Sequence, residues 1–435
     1  MSTAAESVSE PASRGEIVAW AMYDWANSAY STLSITILHQ YLLRIVFGDP
    51  AWGTTGQVVW AWGISASMLI AGALSPVVGA WADAQAAKRR WLGATALLGA
   101  AACVGVGVAP LSQPWLVVAL FVLAAMSFEL SLGFYNAFLP ELANERTMNR
   151  ISAWGFALGY IGGAIALVIA MVIISLGPSI GLPTITDQLR VSVMLMGVWW
   201  GVFSLPAIFM LRDRAMPRAL ADGWLATARQ SFVDVGRTLR HVRMFPALAI
   251  FLLGFLFYND GVQTVISQAS TFATQELAFT TAELAQVILM IQVLAMPGAL
   301  AIGWLADRWG QKQALYLCLA IWVGLLASAY FITTKPQFWW LAVGVALVLG
   351  GIQSVSRAIM GHLTPANRTA EFFGFFNLSG KSTSFMGTFA FGLIIGTTHS
   401  ARLAIISLIV FVVLGWLIVS RVDLDRGRQQ ALGAE

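Results

Sequence analysis

The sequence predicts an all-α membrane protein with twelve transmembrane helices in two six-helix halves. Hydrophobic residues make up 58% of the 435 residues and charged residues 11%, against about 25% charged in an ordinary soluble domain. The chain also contains repeated apolar runs of about 20 residues, the length that crosses a bilayer. Polar features of the first half recur in the second, as in transporters built from parallel repeats. A soluble fold is excluded because too little polar sequence is left to cover its surface.

The apolar runs divide the chain in order. The twelve predicted spans are 17–41, 57–81, 91–110, 114–138, 151–176, 190–211, 246–269, 283–306, 312–333, 337–360, 371–396 and 401–420. They imply a disordered cytoplasmic N-terminus (1–15), a first bundle (16–211), a linker (212–245), a second bundle (246–420) and a cytoplasmic tail (421–435). Residues 1–15 lack an apolar core, so no cleavable signal peptide is expected.

The basic residues predict the orientation. With the N-terminus in the cytoplasm, twenty of the 25 Lys and Arg residues lie on the cytoplasmic side, four lie outside, and Lys381 falls within a span. The positive-inside rule therefore favours cytoplasmic N- and C-termini and a multi-pass protein of the cell (inner) membrane. The basic composition reflects this topology, and no nucleic-acid partner is expected because the cations form no single stripe.

A short polar loop occurs twice. The first copy runs from Gly79 through Asp83 to Arg90, and the second begins at Gly303, 224 residues later. This Gly-x-x-x-Asp pattern with a basic end resembles the signature loops of the major facilitator superfamily. We expect both loops to act as cytoplasmic gates, in which Asp83 pairs with Arg89 or Arg90 and Asp307 pairs with Arg308 or Lys312. The expected gating residues are Gly79, Asp83, Arg89, Arg90, Gly303, Asp307, Arg308 and Lys312.

Two further patterns relate the halves. Span 1 carries Asp24, Asn27, Ser28 and Ser31, and span 7 carries Asp260, Gln263, Thr264 and Ser267. Both sets are spaced i, i+3, i+4, i+7, so each helix presents one polar stripe. In span 5, Gly155, Gly159 and Gly163 form a seam of small residues that favours close helix packing.

Charged residues inside the spans are the candidate cavity lining, because a buried charge costs roughly 2.5–3.5 kcal/mol on insertion scales and usually faces a partner or a cavity. The candidate substrate-binding or coupling residues are Asp24, Asn27, Glu129, Asn136, Asp260, Gln263, Gln353, Arg357, Asn377 and Lys381.

Their roles stay open at this level. Asp24 and Glu129 are either proton-coupling carboxylates or partners of Lys381 or Arg357 in structural ion pairs. Lys381 is a candidate for holding an anionic group. Arg357 is a candidate gate residue near the inner end of span 10. Asp260 is a candidate ligand of a cation, although no spacing in the sequence specifies sodium.

Other functions lack the motifs they need. The sequence Ser379-Gly380-Lys381-Ser382 does not match a phosphate-binding loop, and no zinc-protease or serine-hydrolase motif occurs. Cys103 and Cys318 fall inside spans and are expected to be buried and free. We therefore expect no enzyme, cofactor or metal site. The linker repeats apolar residues every three or four positions and predicts an amphipathic helix on the membrane surface.

Several motifs together resemble the vacuole effluxer family, a branch of the major facilitator superfamily. The motifs are Tyr23-Asp24-Trp25-Ala26-Asn27-Ser28, Phe134-Tyr135-Asn136-Ala137-Phe138-Leu139-Pro140, the glycines from Gly155 to Gly163, Gly350-Gly351 with Gln353 and Arg357, and Phe373-Gly374 with Ser379-Gly380-Lys381. The resemblance implies a transporter whose fungal relatives export amino acids from the vacuole, and a bacterial plasma-membrane member of that family here.

Sequence and resemblance together predict a monomeric secondary transporter that moves a small solute by alternating access, with amino acid efflux and proton coupling as the open details. A drug exporter is the alternative, because the chain contains 18 Trp and an aromatic cavity would suit bulky solutes. A membrane receptor is less favoured because the terminal segments are too short to form a partner-binding domain.

Overall fold

The computed structural model describes residues 12–52, 55–144, 146–214, 245–279, 281–381, 384–398 and 400–433. Over these residues the chain is helical. Its α-helices are α1 (Arg14–Leu33), α2 (His39–Tyr41), α3 (Thr55–Ala84), α4 (Lys88–Val108), α5 (Pro114–Ala137), α6 (Leu139–Leu142), α7 (Met148–Leu176), α8 (Ile185–Met210), α9 (Pro246–Leu277), α10 (Thr281–Trp309), α11 (Gln311–Ala329), α12 (Lys335–Leu363), α13 (Thr369–Lys381), α14 (Ser384–Thr398), α15 (Ala401–Ser407), α16 (Ile409–Val419) and α17 (Leu424–Leu432).

Ten helical segments of the described chain are long and apolar enough to cross a membrane. The predicted first and eleventh spans lie outside these ten. Helix α1 continues to Val46 through π-helical turns at Ser34–Leu38 and Leu42–Val46. The eleventh span consists of α13 and α14, between which residues 382–383 lie outside the description.

Local sequence sets where the helices begin. Ser13 and Glu16 form a reciprocal capping box at the start of α1, which satisfies backbone N–H groups that the helix leaves free. Pro114 and Pro246 occupy the first turns of α5 and α9, where the missing proline N–H costs nothing. Gly310 joins α10 to α11 with φ 97°, a conformation that favours glycine.

The helices pack as two sets. In the first, α7 and α8 pack on α1, and α5 lies between α3 and α4. In the second, α12 packs on α10 and α11, and α16 packs on α9. The two sets meet where α7 contacts α10 and α12 and where α13 contacts α3 and α5. We call residues 12–214 the first half and residues 245–433 the second half.

The two ends of the molecule differ in how the halves are joined. The terminal face is the end containing Arg14, the turn between α3 and α4, and α17; the opposite end is the distal face. At the distal face the described ion pairs stay within the second half, from Lys335 to Glu283 and from Arg402 to Glu276. The described charged contacts that cross between the halves lie nearer the terminal face.

The structure revises the predicted tail. Residues 421–435 are predicted to be a cytoplasmic tail with no helix assigned to them, and in the structure Leu424–Leu432 form helix α17, capped by the Asp423 side chain. Gly427 packs closely on Leu363 of α12 and Ala247 of α9. This helix therefore covers the end of the second half. Most of the predicted linker, residues 215–244, lies outside the described residues, and so does its predicted amphipathic helix.

Candidate functional site

Arg357 on α12 is the centre of the contacts between the halves. It is 2% exposed, and its described hydrogen bonds all go to the first half. Its Nε donates to Ser152 Oγ at 2.9 Å, its Nη2 to the Ser152 carbonyl at 2.5 Å and its Nη1 to Asn136 Oδ1 at 3.3 Å. The sequence places Arg357 near the inner end of span 10. In the structure this side chain is buried more deeply than that position suggests. Arg357 is a deep contact that holds α12 to α7 and α5.

Asp24 on α1 supplies the carboxylate for this cation. Its Oδ2 lies 3.6 Å from Arg357 Nη1 and accepts a hydrogen bond from the Tyr135 hydroxyl at 3.1 Å. Of the two roles left open for Asp24, this geometry matches the ion pair with Arg357. Because the pair joins different halves and is almost fully buried, separating the halves here requires an ion pair to break.

Aromatic rings surround the guanidinium. Its Cζ lies 4.1 Å from the centroid of Phe156, 4.9 Å from that of Trp20 and 5.3 Å from that of Tyr135. The negative face of an aromatic ring attracts a cation, most strongly away from water. Trp20 stacks on Tyr135 and donates its indole N–H to the Tyr135 carbonyl at 2.8 Å. The rings compensate part of the cost of burying Arg357.

The glycines of α7 make room for this pair. A Cβ on Gly155 would lie 2.6 Å from the Tyr135 hydroxyl and 2.9 Å from Arg357 Nη2. A Cβ on Gly159 would lie 3.1 Å from Asp24 Cγ. The close packing predicted for this seam is confirmed. It serves to bring α7 against the charged pair, which the sequence alone did not indicate.

Buried and half-buried polar side chains lie on the distal side of Arg357, further along the helices. The Tyr160 hydroxyl donates to Gln353 Oε1 at 3.0 Å, and Gln292 Nε2 donates to Thr32 Oγ1 at 2.9 Å. Both bonds cross between the halves. Asn377 accepts a 3.4 Å hydrogen bond from Asn136. We call Tyr160, Gln353, Gln292, Thr32 and Asn377 the polar layer, which adjoins the Arg357 ion pair.

A second charged cluster joins the halves at the terminal face. Lys88, the first residue of α4, is fully buried. It contacts Glu141 and lies 3.9 Å from Asp83, both in its own half. It also donates to Thr369 of the second half at 2.7 Å. In addition, the Glu371 backbone N–H donates to Asp83 Oδ2 at 3.0 Å. Asp83 therefore contacts the second half directly.

The predicted partners of Asp83 were wrong. Arg90 is exposed, and Arg89 turns toward the segment after α8. Its backbone N–H donates to Asp213, and its guanidinium donates to the Leu211 carbonyl. Lys88 is the cation beside Asp83 instead. It is the first residue of α4, and of the three basic residues it alone faces the second half. Burial raises the pKa of the Asp213 carboxyl above its usual range, although the Arg89 N–H and Lys88 act in the opposite direction.

The second loop also differs from the prediction. Asp307 is exposed and accepts a hydrogen bond from Asn149 of the first half at 3.0 Å. Arg308 stacks on Trp304, and Lys312 donates to the Ser420 and Val422 carbonyls. Asp307 thus contacts the first half, as expected of a gate. Its partner is the side-chain amide of Asn149, whereas Arg308 or Lys312 was predicted.

The loop glycines occupy equivalent places between the halves. A Cβ on Gly79 would lie 2.5 Å from the Ala370 carbonyl oxygen, and a Cβ on Gly303 would lie 2.5 Å from Ala153 Cβ. Each glycine lets a helix of one half approach the other half closely.

The remaining candidates fall in different surroundings. Asp260 is fully buried and accepts the Gly387 backbone N–H at 2.8 Å, with Gln263 one helical turn further along α9. Asn27 is buried in α1, whereas Glu129 is half-buried in α5. Lys381 ends α13, but its side chain lies outside what the structure describes.

Sequence reasoning missed several members of these networks. Lys88, Glu141, Ser152, Tyr160, Gln292 and Thr369 all contribute to contacts between helices or halves. Glu141 and Lys88 could have been found, since both adjoin predicted helix ends and carry opposite charge. Ser152 and Thr369 carry no pattern that separates them from ordinary helix residues.

The sequence profile described as "Vacuole effluxer Atg22 like" matches residues 57–432. The chain belongs to this family. Among its relatives, the uncharacterized MFS-type transporter YxiO of Bacillus subtilis is 32% identical over 404 residues, which cover 92% of this chain and 93% of that protein. Autophagy-related protein 22 of Saccharomyces cerevisiae is 26% identical over 328 residues. That match covers 68% of this chain but only 61% of the yeast protein.

Solved structures share the fold. The proton:xylose symporter XylE superposes with a TM-score of 0.73 at 12% identity, covering 97% of this chain and 98% of that one. The human organic anion transporter MFSD10 gives a TM-score of 0.73 at 13% identity, covering 93% and 99%. The Atg22-like protein is therefore a multi-pass membrane protein with the fold of major facilitator transporters, a superfamily of transporters and not of enzymes.

Proposed function

We propose that this protein is a secondary transporter of twelve transmembrane helices, in which two six-helix halves alternately expose a central site to each side of the membrane. The observation that carries the proposal is the buried Arg357–Asp24 pair, which joins the two halves. This pair and the Lys88–Asp83 cluster form two charged cross-half layers on the terminal side, which suit a closure that forms and breaks.

The terminal face is proposed to be cytoplasmic, with both chain termini on that side. The uneven distribution of the 25 Lys and Arg residues supports this orientation. On this assignment the structure represents a state closed toward the cytoplasm. The functional unit is proposed to be a monomer in the bilayer, with residues 16–211 and 246–420 as the moving bundles.

The proposed substrate is a small polar solute of the amino acid class, exported from the cell. Membership of the vacuole effluxer family supports efflux, and the resemblance noted above supports amino acids. The polar layer of Tyr160, Gln353, Asn377 and Gln292 favours a hydrogen-bonding solute over an apolar drug. Glu129 and Lys381 are proposed to be needed for transport and not for folding.

The test is counterflow in proteoliposomes. Vesicles loaded with one unlabelled amino acid at a time are diluted into trace labelled amino acid, with drug-like cations as a parallel series. The proposal predicts saturable accumulation for at least one amino acid, which is lost in Glu129→Gln and Lys381→Met while their melting temperatures stay near that of the wild type. Accumulation no higher than in protein-free vesicles for every amino acid, or accumulation of drug-like cations alone, would contradict it.

A further inference from the structure

Three buried side-chain oxygen atoms lie together on one face of α9 without hydrogen-bond partners. They are Asp260 Oδ1, Gln263 Oε1 and Thr264 Oγ1, none of which has a partner in the part of the chain that the structure describes. Asp260 is 0% exposed and Thr264 is 1% exposed. Positions i, i+3 and i+4 of a helix are neighbours on one face. An unsatisfied polar atom in such surroundings is costly, and an unbalanced carboxylate is more so.

The backbone of α14 closes over this group. The Gly387 N–H donates to Asp260 Oδ2, which turns the other carboxylate oxygen away from that bond. A Cβ at Gly387 would lie 2.4 Å from Thr264 Oγ1 and 3.2 Å from Asp260 Oδ2. Glycine at this position therefore lets the α14 backbone approach these oxygens, and any side chain here would collide with Thr264.

The equivalent carboxylate of the first half is satisfied in a different way. Asp24 receives the Arg357 guanidinium and the Tyr135 hydroxyl. The halves repeat with an offset of 225 between Pro140 and Pro365, and the same offset places Leu132 opposite Arg357. At that position the first half carries no arginine, and the described residues give Asp260 no ion pair.

We propose that Asp260, Gln263 and Thr264 form a binding site for a monovalent alkali cation, with sodium as the probe to be used. Hard cations take oxygen ligands at about 2.3–2.6 Å, so oxygens that share one ion need not be hydrogen-bonded to each other. One carboxylate balances one positive charge. A divalent ion would leave a net charge buried between α9 and α14, which is unfavourable.

This site assigns a coupling ion to the proposed transporter, and that role rests on the proposed function. The binding of the cation to the folded chain does not rest on the proposed function. A cation that binds the folded chain stabilises it whether or not the chain transports a solute, so failure of transport and failure of cation binding are separately measurable.

The experiment uses the purified full-length chain in sodium-free choline chloride. The melting temperature is followed as NaCl, LiCl or KCl replaces choline chloride at constant ionic strength, and binding of radioactive sodium is measured directly. We expect a saturable rise of several degrees with sodium. Asp260→Asn and Thr264→Val should each weaken sodium binding by at least tenfold, and Thr264→Ser should retain it.

Two variants serve as matched controls. Asp425→Asn, in α17, and Thr397→Val, in α14, change exposed residues of the same types and should leave the sodium response unchanged. Lys381 lies six residues before Gly387, so Lys381→Met tests it as the counter-ion of Asp260. A sodium response that appears only in Lys381→Met would overturn the proposal.

Two other outcomes would also overturn it. The first is a wild-type melting temperature that responds equally to choline and to all three alkali cations, with no bound sodium. The second is an Asp260→Asn variant that keeps the full response. Stabilisation that depends on pH alone and is lost in Asp260→Asn would mean that the carboxylate carries a proton, and would contradict a sodium site.

Discussion

Arg357 is a cation inside a membrane protein, and its surroundings explain how it is tolerated. Its charge is balanced by Asp24, its N–H groups are bonded to Ser152 and Asn136, and three aromatic rings surround its guanidinium plane. Removing one member of a buried ion pair costs about 3–5 kcal/mol, because the other charge is left unpaired. Replacing both members with apolar residues is often much less damaging.

The first prediction concerns this pair. Arg357→Met alone should lower stability by about 3–5 kcal/mol, because Asp24 is left unpaired, whereas the double variant with Asp24→Leu should recover a large part of that loss. The measurement is the thermal melting temperature of the purified single and double variants. Losses that simply add in the double variant would show that the two residues do not act as a pair.

The second prediction concerns Gly155. Gly155→Ala places a methyl group against the Tyr135 hydroxyl and Arg357 and should destabilise the protein by about 1–3 kcal/mol. The matched control is Gly324→Ala in α11, where a Cβ would meet nothing within 4 Å. That control should gain roughly 0.5–1 kcal/mol, since alanine favours a helix over glycine. Equal melting temperatures for the two variants would contradict the packing role of Gly155.

Sequence reasoning identified individual charged residues better than their partners. Asp24 and Arg357 were selected because charges inside spans are rare, and that argument needs no three-dimensional information. The choice of Lys88 over Arg89 and Arg90 depends on the rotation of α4 about its axis, which neighbouring basic residues in a sequence do not specify. Ser152 contributes its hydroxyl and its backbone carbonyl, and no pattern in the sequence separates this serine from other helix residues.

At the scale of helices, the order and approximate positions of the predicted spans agree with the observed helices, while their ends do not. Helix α1 with its π-helical turns extends to Val46, beyond the predicted end at 41, and α9 extends to Leu277, beyond 269. Hydrophobicity marks the part of a helix in lipid, whereas a helix continues into the aqueous layer until capping ends it. Helix α17 was missed because it is short, polar and held by packing on α12.

The third prediction concerns contacts between helices. Gly79→Ala sets a methyl group 2.5 Å from the Ala370 carbonyl across the halves, and Gly298→Ala sets one 2.2 Å from the Leu347 carbonyl within the second half. Only Gly79→Ala should favour opening at the terminal face, because only that clash is relieved when the halves separate.

The measurement is the rate of maleimide labelling of Ser354→Cys, a fully buried position in α12, in a background that lacks Cys103 and Cys318. Gly79→Ala should raise the rate several-fold over the parent, and Gly298→Ala should leave it near the parent value. Equal acceleration by both variants would indicate general loosening and not a shift between two states.

At the scale of the whole molecule, two helical sets are joined by a buried ion pair, a polar layer and a rim cluster at one face. The helical membrane fold could be predicted because composition and the length of the apolar runs record it directly. The conformation could not be predicted, since in the proposed transport cycle the same sequence stabilises both closed and open faces within a few kcal/mol, so that a ligand can shift between them. The proposed exchange of faces is therefore the claim that most needs a direct measurement.

That measurement is the pair of distances across the halves at the two faces, obtained with spin labels. Labels at exposed Arg146 and Arg421 report the terminal face, and labels at exposed Ser112 and Phe331 report the distal face. The account predicts two populations, one with the terminal pair close and the distal pair far apart and one with the reverse. It also predicts that Arg357→Met enriches the population in which the terminal pair is far apart and the distal pair is close. Distances that stay single in every variant, or that lengthen at both faces together, would contradict alternating access.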